Sequence, residues 1–380
     1  MMIAMRTCRV WGFMADCPCL VSALLPVRRP SCEIDRMSPV PSAGPSPCLF
    51  ALAESREGGD RVALEAGIAS APLEERRFEG GEFKLRPLES VRGRTVFVFE
   101  SLAGTEEHPV AERLVRLLFL LGVLRDAGAV RRVAVIPYLA FARKERRTQV
   151  RDPVNTRYVA QLLEAAGADH LVVLDVHSPA ALDNAFRIPV DHLSALPMMA
   201  DHFARQCGAA PLAVLSPDVG GVKRAQLFRE LLEARIGRAV DLAFVEKHRA
   251  LDVVSGGTLV GMAGNQPTVI VLDDLCATGG TLTRAAAICR EAGAAAVHVA
   301  VTHAPLRTGI EALLRAAMID RIVVTDSVGA PWHPQVSSAA PAGRLVTLPV
   351  APLLGQALGR MVSGRPLAPL LRHWPVAPEG

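Results

Sequence analysis

Two adjacent carboxylates, followed at short spacing by a threonine-flanked pair of glycines, are the residues of this chain best suited to chemistry. In VIVLDDLCATGGT, Val269 to Thr281, Asp273 and Asp274 close an apolar run, and Thr278, Gly279, Gly280 and Thr281 follow after Leu275, Cys276 and Ala277. Glycines without Cβ let backbone N–H groups close around an anion, a helix's first turn adds unpaired donors, and threonine hydroxyls supplement both. Carboxylates one turn away accept hydrogen bonds from sugar hydroxyls or hold Mg²⁺. A phosphate at one end and a polyol at the other describe a pentose phosphate. The pattern also fits an ordinary strand-to-helix turn with solvated acids, so the other polar clusters have to discriminate.

Three further clusters carry candidate residues. FARKERR, Phe141 to Arg147, sets four cations and one acid after an apolar run, with Arg143 suited to bidentate contact with polyphosphate. A solvated surface loop has the same composition. Asp175-Val176-His177 joins an acid and an imidazole, a metal or phosphate ligand if a phosphate loop is near. SPDVGGVKRA offers Asp218 and then Gly220-Gly221 at the start of a helix.

The elements that must hold these residues repeat one rhythm. VAVIPY, HLVVLDVHS, LAVLSPDVGG, TVIVLDDLCATGG, AVHVAVTHA and RIVVTDS are apolar runs that end on polar residues, most of them followed by helix-like segments. Strands alternating with helices predict parallel sheets in an α/β fold, with ligands beyond the carboxyl ends of the strands. Upstream, VRGRTVFVFES reads as a strand and FEGGEFKLRP as a strand after a glycine turn. Leu114, Leu117, Leu118, Leu121 and Leu124 mark a helical face that ends at Gly128. RLVTLPVAPLLGQALGRMV reads as a strand and a helix packing back on the body.

The chain's 380 residues are enough for two domains, and 50% hydrophobic with 21% charged residues is a globular composition. A net charge of +4 and only two Tyr and three Trp give no argument for nucleic acid, and no apolar run reaches the length of a membrane span. Five of the eight cysteines lie before Leu49, without zinc-site spacing, in a stretch rich in Pro, Ser and Arg. Residues 1–48 therefore read as a disordered extension with Met37 a candidate start, and the remainder as a reduced, cytoplasmic protein. A boundary is expected in DHLSALP, giving a first half over 49–193 and a second over 194–341.

Taken together, and in this order, the segments from about residue 49 to 362 resemble ribose-phosphate diphosphokinase, also called phosphoribosyl pyrophosphate synthetase. FEGGE is similar to the family's adenine-contacting turn, VIPYLAFARKER to its ATP loop, and DVHS to its Mg-binding motif; SPDVGG, the basic pair of VEKHRA, and LDDLCATGGT complete the set. The resemblance implies two tandem phosphoribosyltransferase-type domains, each a mostly parallel sheet flanked by helices, with residues 342–365 joining the first. It implies transfer of the β,γ-diphosphoryl group of ATP to the 1-hydroxyl of ribose 5-phosphate. It assigns ATP to Phe78, Glu82, Arg143, Lys144 and Glu145, Mg²⁺ to His177 and Asp218, and ribose 5-phosphate to Asp273, Asp274 and Thr278 to Thr281. Lys247 and Arg249, in a loop after a strand, are the implied catalytic residues, and a homo-oligomer, dimer or hexamer, is the implied assembly. Departures are Ala277 and Gly80 where the family usually has Asp, Lys144-Glu145 where it has Gln-Asp, and GTEEHPVAER where it has Asn and Asp. A non-catalytic paralogue that regulates a synthetase and a phosphoribosyltransferase are the alternatives.

Overall fold

The computed structural model describes residues 45–105, 107–206, 208–250, 253–262, 266–329, 336, 338 and 340–371. The extension expected over residues 1–48 lies outside them as far as residue 44. At its far end Cys48 is already part of a strand and fully buried.

The first half contributes strands β1 (Cys48–Ala51), β2 (Ala69–Ser70), β3 (Leu73–Arg77), β4 (Phe83–Pro87), β5 (Thr95–Phe99), β6 (Arg131–Ile136), β7 (His170–Leu174) and β8 (Val190–Leu193). Helices α1 (Arg56–Ala66), α2 (Val110–Asp126), α3 (Asn155–Ala166) and α4 (Pro179–Ala185) lie between them. Six of the strands form a parallel sheet in the order β2-β1-β5-β6-β7-β8. Its inner strands are buried on both faces, which is why they read as unbroken apolar runs. β3 and β4 form a separate antiparallel hairpin. FEGGE is thus the hairpin's turn and only Phe83–Pro87 is strand, since Gly80 and Gly81 take positive φ and break the extended backbone.

The second half runs α5 (Leu196–Gln206), β9 (Leu212–Ser216), α6 (Val222–Ile236), β10 (Asp241–Ala250), β11 (Val253–Val260), β12 (Thr268–Leu275), α7 (Gly280–Glu291), β13 (Ala296–His303), α8 (Arg307–Arg315), β14 (Arg321–Thr325), β15 (Leu345–Leu348) and α9 (Ala351–Ser363). Its seven-stranded sheet has the order β11-β10-β9-β12-β13-β14-β15, antiparallel only between β10 and β11.

Residues 342–365 divide between the halves instead of joining the first together. β15 pairs in parallel with β14 at the edge of the second sheet, whereas α9 packs on α1. Gly355 and Gly359 permit the close approach, because a Cβ at Gly355 would press on Glu65 and one at Gly359 would lie 3.3 Å from the Ala66 carbonyl oxygen. One core cluster runs from Leu49, Val62 and Leu354 through to Phe203, Phe228 and Ile270.

GTEEHPVAER is absorbed into the first half's own packing. Arg113 is fully buried, its Nε donating to Glu100 Oε1 at 2.5 Å and its Nη2 to Ser55 Oγ at 2.8 Å. Nearby His108 lies 2.7 Å from Glu54 and 2.9 Å from Glu112, and Arg116 joins Glu54 to Glu75 of the hairpin. Burial pushes the Glu100 carboxyl up despite Arg113. Such groups persist inside only when paired.

Behind the second sheet, His202 of α5 and His298 of β13 flank Phe203, each with one buried ring nitrogen lacking a partner among the described residues. Burial, with Arg321 adding to it, lowers both imidazoles from their ordinary value of 6.5. The folded state therefore resists protons that the unfolded chain binds, and stability falls as pH drops below about 6.5. His202→Leu is expected to lose less Tm than the wild type between pH 7.5 and 5.5; equal losses would refute this.

Candidate active site

β12 carries the acid pair to the carboxyl end of the sheet, and the glycine loop turns directly into α7. Gly279 caps that helix with φ 79°, a left-handed conformation suited to glycine. A Cβ there would stand 2.8 Å from the Gly309 carbonyl oxygen of α8. Thr278, Gly280 and Thr281 are exposed around the helix's first turn, whose N–H groups have no partners within the helix. This end of the unit can cradle a phosphate.

The acids are not equivalent. Asp274 is buried, with Oδ1 receiving Arg224 Nη1 at 2.7 Å and Oδ2 lying 3.0 Å from His177 Nδ1. Asp273 is more open, 3.6 Å from the same Arg224 nitrogen, and its Oδ1 accepts the Asp274 N–H. Burial opposes ionisation of Asp274, but the His177 hydrogen bond and the Arg224 charge overcome it and hold the carboxyl well below the usual range. Burial and the charge on Asp274 push Asp273 the other way. The hydrogen bond to Asp274 raises His177 against the effect of its partial burial. The result is one firmly ionised acid beside one that holds its proton more readily.

His177 comes from the end of β7 in the other sheet. It lines, with Arg143, Tyr138, Asp274 and His303, an open cleft into which both sheets bring their carboxyl ends. Glu145 Oε2 is shielded from solvent with no partner among the described residues, and the Glu145 charge is felt at His177. An unpaired, shielded carboxylate oxygen is a place where a cation could be satisfied.

Other expected residues lie elsewhere or have other partners. Lys144 is 2.5 Å from Asp152, which also accepts the N–H groups of Thr148 and Gln149, so this cation closes its own loop. Asp218 caps a short 3₁₀ turn through the Gly221 N–H. Among the described residues no three His, Cys, Asp or Glu side chains converge as a metal site. Phe78 and Glu82 sit at the hairpin turn, and no hydrogen bond or ion pair joins them to Arg143–Glu145 among the described residues. Lys247 and Arg249 lie in β10, not in a loop. Beyond Phe244 this strand has no further pairing with β9 and pairs only with β11, making an antiparallel arm past the end of the sheet. Their side chains lie outside the described residues.

Two family models match the chain: the N-terminal domain of ribose phosphate pyrophosphokinase over residues 47–167, and the phosphoribosyl transferase domain over 195–338. Ribose-phosphate pyrophosphokinase 1 of Streptococcus pneumoniae is 34% identical over 325 residues, covering 85% of this chain and 96% of the relative. The chain belongs to the ribose-phosphate pyrophosphokinase family. The Streptococcus mutans pyrophosphokinase is 32% identical with the same coverage. The crystal structure of phosphoribosylpyrophosphate synthetase from Mycobacterium smegmatis superimposes with TM-score 0.73 at 29% identity, covering 84% of this chain and all of that one.

For a ribose-phosphate pyrophosphokinase, Arg224 is the residue that motif reading passed over. It lies in the first turn of α6, just after SPDVGG, and touches Asp273, Asp274 and the His177 carbonyl oxygen. Its only signal was position: a cation placed at the start of a helix, where the macrodipole disfavours it, needs an acid opposite. Asp175, which stood beside His177 as a possible ligand, is a structural acid in this member of the family. It accepts Ser194 Oγ at 2.6 Å and the Ala195 N–H at 3.0 Å, and it is buried.

Proposed function

We propose that this chain transfers the β,γ-diphosphoryl group of ATP to the 1-hydroxyl of ribose 5-phosphate, releasing AMP. The observation that carries the reading is the cleft where Arg143 and His177 meet Asp274 beside a phosphate-shaped loop. In this reading Thr278, Gly279, Gly280 and Thr281 hold the 5-phosphate, and Asp273 and Asp274 accept hydrogen bonds from the ribose hydroxyls. The sugar's 1-oxygen attacks the β-phosphorus and loses its proton, while the bond from that phosphorus to the α,β-bridging oxygen breaks and AMP leaves with the oxygen. Positioning and charge compensation drive such a step, without a covalent enzyme intermediate. Arg143 faces the polyphosphate, and Lys247 and Arg249 would meet charge developing in the transition state. Phe78 and Glu82, on the hairpin turn, would take the adenine.

The residues present fit Mg²⁺ carried in by nucleotide phosphates, which needs only one or two protein ligands. His177 and Asp218 would hold it, with Glu145, whose Oε2 has no partner among the described residues, as a further oxygen donor. When bound, the ion would neutralise charge on the transferred diphosphoryl group.

The same reading extends to residues 49–193 as the nucleotide half and 194–341 as the sugar half. It also extends to a homo-oligomer, supported by Val115 and Phe119 on α2 and Tyr158 and Leu162 on α3, exposed apolar pairs at helical spacing. A cytoplasmic location accompanies it. No helix among the described residues is long and apolar enough to cross a membrane. A non-catalytic paralogue finds no support in relatives that carry the enzyme's name over 85% of the chain. A plain phosphoribosyltransferase does not account for the N-terminal pyrophosphokinase domain.

Purified chain incubated with Mg-ATP and ribose 5-phosphate should give AMP and pyrophosphorylated sugar in equal amounts. Tight binding of both ligands without AMP, across several nucleotides, would return the paralogue reading.

A further inference from the structure

The two sheets meet at a dipeptide within AVHVAVTHA to which no ligand is assigned. Thr302 and His303 end β13, both buried. Their backbone belongs to the sugar side of the site: Leu275 pairs with His303 in the β12–β13 ladder, and the Cys276 N–H donates to the His303 carbonyl oxygen at 2.8 Å. Those two bonds fix the chain between the acid pair and the glycine loop.

Their side chains belong to the other half. Thr302 Oγ1 donates to Asp175 Oδ2 at 2.7 Å, and His303 Nε2 lies 3.1 Å from the Leu174 carbonyl oxygen. Since a carbonyl only accepts, Nε2 carries the proton, leaving Nδ1 to accept from Ser327 Oγ at 2.8 Å. The imidazole also packs against Tyr138 at a tilt of 56°, ring centroids 5.2 Å apart, where β6 leads into the Arg143 loop. Asp175 adopts φ 38°, in the left-handed region that a non-glycine residue occupies only when its surroundings hold it there. The strand end carrying His177 is therefore held from three directions, and one of them is Thr302.

We infer that Thr302 and His303 are positioning residues: they set the distance between the half of the site carrying Arg143 and His177 and the half carrying Asp274 and the glycine loop. The inference rests on the diphosphoryl-transfer reading. In that reaction donor and acceptor bind in different halves, so a shift of the joint misaligns reactants without emptying either subsite. A displacement near 1 Å costs on the order of 100-fold in rate.

The test is Thr302→Val, which keeps shape and removes the hydroxyl, with Thr302→Ser as rescue. The expected result is a fall in kcat of about 10- to 100-fold, with KM for ribose 5-phosphate changed less than about twofold, and recovery of kcat in Thr302→Ser. His303→Gln, which retains a donor toward Leu174, should keep more kcat than His303→Leu. Hydrogen exchange supplies a readout free of turnover: in Thr302→Val the amides of Asp175 to His177 should exchange faster while those of 277–281 do not change. Wild-type kcat in Thr302→Val, or equal loss of kcat, ligand affinity and Tm with uniform exchange, would overturn the inference. A wild-type protein that makes no AMP would refute the reaction instead, and the exchange pattern would still decide whether the joint exists.

Discussion

Asp274→Asn is expected to lower the rate of AMP formation about 100- to 1,000-fold, the largest loss from a single isosteric change in this chain. Both Asp274 oxygens face donors, Arg224 on one side and His177 on the other. An asparagine can satisfy one of them, but it must then turn its own N–H groups toward the second. Arg224 would be left with Asp273 alone, 3.6 Å away. Removing one partner from a buried charge pair costs about 3–5 kcal/mol, so Tm should fall together with kcat. Steady-state kinetics and a melting curve on the same preparation check both, and near-wild-type kcat would exclude Asp274 from the site.

Gly279→Val should cost affinity for ribose 5-phosphate by about 100-fold or more while leaving ATP binding intact. A β-branched residue at φ 79° carries about 1–3 kcal/mol of backbone strain. Its Cβ would also meet the Gly309 oxygen at 2.8 Å and Ala312 at 3.2 Å, neither of which is a flexible tip that can swing aside. The loop would have to open, carrying the N–H groups of α7 off the phosphate. Gly279→Ala should show the same defect in milder form. Calorimetric titration with each ligand separates the subsites, and ribose 5-phosphate affinity within threefold of wild type would contradict the cradle.

What could be read in the sequence was what depends on near neighbours in the chain. Val269 to Leu272 are buried on both sides of a parallel sheet, so no polar residue interrupts them and the strand declares itself. Gly67, Gly167 and Gly237 close helices in the left-handed region for the reason glycine does so anywhere. Relations across the chain were silent. LEERR of β3 lies in a hairpin beside the main sheet, partly open to solvent, and carries charge where a strand pattern would need apolar residues. Lys144 looked available to phosphate because nothing in FARKERR announces Asp152. Thr302 and Asp175 are 127 residues apart, and no periodicity reports such a pair.

The packing of α9 against α1 bears on how the protein is made. Leu354, Ala357 and Leu358 share one core with Val62 and Ala63, so part of the cover of α1 comes from residues synthesised long after it. At about 5–20 residues per second, α1 waits roughly 15–60 s for that partner. The half that leaves the ribosome first thus waits for a helix from the far side of the second half. A chain ending after Leu348 would keep every strand of the second sheet and uncover the first.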